Sequence, residues 1–248
     1  MTSRLRALLS LITLAALAAG CASGRDDDLP DPDSNAQRIF AQAEKAMNSG
    51  NYPAAIGAFE SLTAVYPFSD EARQAQLNLM FVYLRADQPE SVLSAADRFM
   101  LENPTHPRVD YALYMKGLAR FPREAGPLES LFRIDMDKRP PAGMQESFAA
   151  FQQLLQQHPQ SIYAEDARQR MVYLRNRLAA HEVAVAQFYL DRSAHVAAIN
   201  RARTILETFQ ETPAVIPALK IMAEGYDNLG LPELAADTRR ILEANQAR

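Results

Sequence analysis

The sequence predicts an all-α fold built from repeated helix pairs, and three observations carry that reading. Apolar residues recur at three- and four-residue spacing along most of the chain, and no segment keeps up a period-two alternation. The composition leans on Ala, Leu, Gln, Glu and Arg, all good helix formers, with only 9 Gly and no Trp in 248 residues. A group of small residue, aromatic and terminal proline also returns along the chain, the mark of a repeat architecture.

The N-terminus reads as an export signal. Arg4 and Arg6 precede an apolar stretch from Leu8 to Ala19, which is shorter than the ~20 residues a membrane-spanning helix needs. It ends in Ala18-Ala19-Gly20-Cys21, small residues ahead of the only cysteine, with Leu17 one place upstream of its usual position. This pattern predicts cleavage of residues 1–20 and acylation of Cys21, where several chains together anchor stably. Ala22 rather than Asp follows the cysteine, which favours the outer membrane. Gly24 to Ser34 (GRDDDLPDPDS) has nothing to bury and reads as a solvated tether. About 14 residues of such coil reach roughly 20 Å. The expected organisation is a signal over 1–20, a lipidated acidic tether over 21–35 and a folded domain over 36–248.

The first helix pair is expected over about 36–69. Ala43 falls at the close contact, Gly50-Asn51-Tyr52 at the turn, Ala55 and Phe59 on the second helix, and Pro67 at its end. The second, about 72–105, has Leu79, Met80 and Tyr83, then Val92, Ala96 and Phe99, stopped at Pro104. In the third, about 108–160, Tyr111 to Ala119 carries Gly117 at close contact. Its partner with Phe148, Phe151 and Leu154 comes only after an insertion over 121–143. Ala164 to Asp191 has no Pro or Gly, and Ala167, Met171, Leu174, Leu178 and Val185 form one face. It reads as a single long helix joining the third and fourth repeats. The fourth, about 164–213, continues with His195, Ala198, Ala202 and Ile205, His195 taking the place of Tyr52. The fifth, about 216–247, has Ala223, Tyr226, Gly230, Ala235 and Leu242. The spacing is that of tetratricopeptide (TPR) units, so the fold class is a right-handed superhelical solenoid of five TPR repeats.

Chemistry is sparse. With 26 basic against 30 acidic residues the chain carries a net −4, near −6 without the signal, so nucleic acid is not an expected partner. One cysteine excludes a disulfide framework. His106 and Asp110 are one turn apart, but His106 lies in Asn103-Pro104-Thr105-His106-Pro107, which reads as a turn ahead of a helix. No HExxH, GxSxG, phosphate loop or GxGxxG occurs, and the expectation is no catalytic residue, no metal and no cofactor. Stacked repeats leave a groove suited to peptides or partner helices. Tyr83, Tyr111 and Tyr114 are its candidate lining, because a buried hydroxyl needs a partner.

The residues also resemble a known family. The lipobox cysteine, acidic tether and repeats resemble the BamD family, lipoproteins of the outer-membrane β-barrel assembly machinery. The more specific likeness is Asn103-Pro104-Thr105-His106-Pro107 followed by Asp110-Tyr111 and Tyr114-Met115-Lys116-Gly117-Leu118. Tyr66-Pro67-Phe68, the charged Arg133, Asp135, Asp137 and Arg139, Tyr163 to Leu178, and Ala197-Ala198-Ile199-Asn200-Arg201 add to it. The resemblance implies a non-catalytic scaffold. Its partners would be a BamA-like barrel component reached through periplasmic domains, accessory Bam lipoproteins, unfolded outer-membrane proteins, and the membrane through acyl chains. It places Arg201, with Asn200 beside it, at the barrel component. The other reading is a different TPR lipoprotein adaptor, a secretin pilotin or a cell-wall enzyme adaptor.

Overall fold

A computed structural model describes residues 32–122 and 142–246. The described residues form ten α-helices and no strand: α1 Pro32–Asn48, α2 Tyr52–Val65, α3 Asp70–Arg85, α4 Pro89–Glu102, α5 Val109–Ala119, α6 Ala142–Gln157, α7 Ala164–Leu190, α8 His195–Thr208, α9 Val215–Asn228 and α10 Pro232–Gln246. Cys21, the signal, most of the tether and the charged insertion residues Arg133 to Arg139 lie outside the described residues. The last four positions expected to be tether, Pro32 to Asn35, belong to the start of α1. Proline at the first position of a helix is a start signal, and the acidic run hides it.

Each helix packs on the one before and the one after it. Beyond those neighbours, α1 meets α3, α3 meets α5 and α7 meets α9, so first helices of successive pairs line up. This is the nearest-neighbour arrangement of a helical repeat.

The turns repeat with the helices. Gly50, Asp87, Ser193 and Gly230 all have positive φ, between 58° and 77°. Five residues after each stands a buried residue of the second helix: Ala55, Val92, Ala198 and Ala235. Seven residues before each stands Ala43, Met80, Ala186 or Ala223 on the first. The two glycines take the left-handed conformation freely, whereas Asp87 and Ser193 accept a steric cost to keep the same turn. His195 stands where Tyr52 does, two places after the positive-φ residue. The turns between pairs also match. The N–H of Ser69, His106, Ser161 and Thr212 each bonds the carbonyl three residues back, at Tyr66, Asn103, His158 and Phe209.

Three cores result. Ala43, Ala55, Phe59, Leu62 and Val82 fill the first. Met80, Val92, Phe99, Leu113, Phe151, Leu154, Ala167 and Leu174 fill the second. Ala179, Ala186, Leu190, Ala198, Ile199, Ala202, Ile205 and Ala218 fill the third. The long helix α7 joins the last two. Its apolar stripe does not stay on one face as the sequence suggests. Ala167, Met171, Leu174 and Leu178 serve the second core, while Ala179, Val183, Ala186 and Leu190 serve the third, and Val185 belongs to neither. The two stripes are twelve residues apart, which at 100° per residue turns the second about 120° from the first. The cores therefore lie on different sides of one helix.

Candidate interaction surfaces

The first surface is a cleft of ≈ 570 Å³ with Tyr83 in it. Glu60 and Thr63 of α2 form one wall, Ser91, Ser94 and Arg98 of α4 the other, and Gln76 and Leu79 of α3 the floor. It opens among the second helices of the first two pairs. The Tyr83 hydroxyl donates to Glu60 Oε1 at 2.6 Å. Burial, then this bond to a carboxylate, lifts the phenol well above its usual range. At the far end Arg98 Nε (2.8 Å) and Gln76 Nε2 (2.7 Å) donate to Glu102, and the Arg98 bond holds that carboxyl below its usual range. The cleft presents an aromatic, an arginine, one amide and several hydroxyls, donors and acceptors that an extended peptide can use.

Tyr111 and Tyr114 do not share this cleft. Tyr114 stacks on Tyr163 with centroids 4.6 Å apart, and Tyr111 tilts against the same ring at 5.7 Å. The Tyr114 hydroxyl donates to Asp166 Oδ2 at 2.6 Å, which is in turn paired with Arg170. Burial raises both phenols to about 12, with the Asp166 bond adding to the effect at Tyr114. Burial pulls the Asp166 carboxyl up, but bonds from Arg170 and Tyr114 outweigh it and leave it below the usual range. The pair of tyrosines thus fastens α5 to α7. The Tyr114 hydroxyl finds its partner inside the fold and the Tyr111 ring packs on Tyr163, which is the alternative to groove lining that spacing cannot distinguish.

Gly117 shows how tightly α5 meets α6: an added Cβ would lie 2.3 Å from the Phe151 ring. Buried Ser147 donates to the Gly117 carbonyl at 2.7 Å. His106 is a turn residue. Its Nδ1 accepts the Arg108 N–H at 3.1 Å and its ring edge meets Phe99, while Asp110 accepts from Ser161 Oγ at 2.7 Å.

The second surface lies on the C-terminal side. Arg201 and Asn200 are exposed on α8. Arg201 Nη1 reaches Glu182 of α7 at 3.3 Å, an ion pair open to solvent and weak in its own right. Asn200 offers its side chain outward, while its carbonyl accepts from Thr204. Sequence reasoning missed the neighbouring groove of ≈ 790 Å³ between α7 and α9, lined by Arg177, Val183, Phe188, Asp191, Pro213 and Pro217, among others. The signal was available. Phe188 falls off the Ala179–Leu190 stripe, and Arg192 lies 3.5 Å from its ring centroid. Among the described residues no group of three or more metal-ligating side chains converges.

These surfaces sit on an array whose relatives are recognisable. The model of the YfiO family, described as outer membrane lipoprotein, matches residues 32–242. The outer membrane protein assembly factor BamD of Neisseria meningitidis serogroup A is 40% identical over 213 residues, 86% of this chain and 80% of the relative. The protein of that name from Vibrio cholerae is 38% identical, covering 96% of this chain and 97% of the relative. The one from Pasteurella multocida is 36% identical, covering 96% and 91%. The family match runs from the first described helix into the last, these relatives are 36–40% identical over most of their own length, and the chain belongs to the BamD family.

Proposed function

We propose that this chain is a non-catalytic scaffold lipoprotein of outer-membrane β-barrel assembly. Residues 1–20 are removed on export, Cys21 carries the acyl chains, and residues 36–248 form a right-handed superhelix of five TPR repeats. The observation that carries this reading is the likeness to named assembly factors along the full helical array. In this role the chain binds a BamA-like barrel component and accessory lipoproteins, and helps deliver unfolded barrel substrates. The Tyr83 cleft, with Tyr111 and Tyr114 supporting the adjoining pair, serves the substrate end. Arg201 and Asn200 serve the barrel component.

The Arg201–Glu182 pair gives the reading an edge. A guanidinium suits a carboxylate on a partner, and Glu182 competes for it in the free chain. Arg201→Glu should lower affinity for the periplasmic domains of the barrel component by roughly 30- to 4,000-fold, about 2–5 kcal/mol. Glu182→Gln should raise it by a few-fold, because an exposed pair is worth about 0.2–1 kcal/mol. Capture from solubilised outer membrane, followed by titration of purified domains, tests both. Recovery of a secretin in place of the barrel component would replace this reading with the pilotin one.

A further inference from the structure

We propose that one rim of the helical array is a membrane-contact edge, with Phe68, Leu101 and Ile162 seated in the lipid headgroup region. Among the described residues these are the most exposed large apolar side chains, at 92%, 83% and 81%. Single exposed hydrophobics are ordinary. These three, however, share a place in the fold. Phe68 is in the turn from α2 to α3, Leu101 is at the end of α4 before the turn to α5, and Ile162 is in the turn from α6 to α7. Val65, the last residue of α2 and also exposed, adjoins them. All are turns from a second helix to the next first helix, and short turns between neighbouring helices put them at one end of the array.

The same end holds the N-terminus of α1. Relative to the repeat register, α1 and α3 start within one residue of each other, so Pro32 is level with Asp70 beside Phe68. Ten residues separate Cys21 from Pro32. Fully extended they span at most about 35 Å, and as a coil about 17 Å. The coil reach is shorter than α1, whose 17 residues run about 25 Å, so an acylated Cys21 at that reach brings this rim to the lipid ahead of the opposite one. This step rests on the acylation proposed above.

The rim's chemistry agrees. Pro67, Pro104 and Pro159 stiffen the three turns and cannot donate a backbone hydrogen bond. The neighbouring carboxylates Asp70, Glu102 and Glu165 are paired with Arg73, Arg98 and Arg168, which limits repulsion from anionic lipid. The opposite rim displays Ser49, Asn51, Gln88, Arg192 and Asn228 at its turns, and the apolar side chains beside them, Val196, Leu229 and Leu231, are 58%, 40% and 42% exposed, well below Phe68, Leu101 and Ile162. Apolar side chains at helix ends that dip into the interface add to an acyl anchor and fix orientation as the anchor alone does not.

The test uses the acylated protein, purified from its membranes and reconstituted in phosphatidylethanolamine–phosphatidylglycerol vesicles. Cys21 is the only cysteine and its sulfur is blocked by acylation, so single substitutions Phe68→Cys, Leu101→Cys and Ile162→Cys take an environment-sensitive fluorophore. Ser49→Cys and Asn228→Cys report the opposite rim. The expected result is blue-shifted emission at the three rim positions, with loss of fluorescence to a spin-labelled lipid, and neither change at the controls. A probe at Thr105→Cys should be quenched as well, and should lose that quenching when Phe68, Leu101 and Ile162 are all replaced by Ser. Protein that floats with vesicles while its rim probes stay aqueous would overturn the contact edge and leave the anchor standing. Protein that does not float at all would overturn the anchor and the edge with it. Shielding of the rim probes only when other membrane proteins are added would assign the edge to a protein partner and overturn the lipid one.

Discussion

The two ends of α7 pack into cores of different make. At its N-terminal end Ala167 and Leu174 meet Phe99, Phe151, Leu113 and Leu154, bulky side chains that fill the space between helices. At its C-terminal end Ala179 and Ala186 meet Ala198, Ala202, Ala214 and Ala218, with Ile199 and Ile205 among them. The same repeat frame is thus held by two kinds of filling. A bulky core draws its stability from apolar area and is damaged most by truncation. A core of alanines lets backbones approach and is damaged most by enlargement. The side that the resemblance assigns to the barrel component is the alanine-rich one.

The largest expected effect tests the bulky side. Phe151→Ala should cost about 3–5 kcal/mol, read as a loss of denaturation midpoint. Ile205→Ala in the alanine-rich core, where fewer bulky neighbours surround it, should cost nearer the low end of about 2–5 kcal/mol. If the two costs were equal, the contrast between the cores would fail.

Enlargement comes next. At Gly225 a new Cβ would stand 2.7 Å from Ile199 Cγ1, and at Gly57 it would meet nothing within 4 Å. Replacing a helical glycine by alanine gains up to about 1 kcal/mol from propensity. Overpacking costs about 1–3 kcal/mol. Gly225→Ala should therefore destabilise and Gly57→Ala should stabilise, and thermal melts of the two variants decide the sign.

Tyrosine titration sharpens the account of the bulky side. The phenols of Tyr111 and Tyr114 are raised to about 12 in the folded chain against an ordinary value of 10.0. A raised folded pKa means that stability from these groups is whole below pH 10 and is lost as pH rises through 12. Absorbance at 295 nm should show a late tyrosinate step that coincides with loss of helical circular dichroism. Tyr114→Phe should shift that step. A single step near pH 10 with the fold intact would contradict the stacked cluster.

The smallest effect is expected at Arg201. Its pair with Glu182 is solvent-exposed, so Arg201→Glu should change stability by less than about 1 kcal/mol. A fold left unchanged, together with lost binding, separates an interface role from a packing role.

Much of the fold was legible. Ala43, Ala55, Phe59, Gly117, Ala198 and Ala202 stand at the small and aromatic contacts their spacing predicts, because a helix pair can close only where side chains are small or interlock. The long helix was readable from the missing Pro and Gly, and it spans Ala164–Leu190. The start of α1 was hidden by an acidic run that resembles a tether. The register of His195 on Tyr52 placed the turn before α8, but the positive φ at Asp87 and Ser193 was hidden because it is ordinarily read from glycine.

The candidate surfaces were less legible. Spacing put Tyr83, Tyr111 and Tyr114 in one class, yet Tyr83 faces a cleft while the other two join a packed ring cluster. A tyrosine hydroxyl needs a partner, but the sequence does not say whether Glu60 across a cleft or Asp166 across a helix contact supplies it.

By itself, then, the sequence determined the helical periodicity, the pairing of helices and the family, since local propensity and nearest-neighbour contacts decide those. Only the tertiary structure decided which face of α7 serves which core, which hydroxyls stay within reach of a partner, and which turns share one rim. Those depend on residues far apart in the chain meeting in space, as Tyr83 meets Glu60 and Tyr114 meets Asp166. A rotation of 100° per residue along one helix carries no record of where the neighbouring helices come to lie.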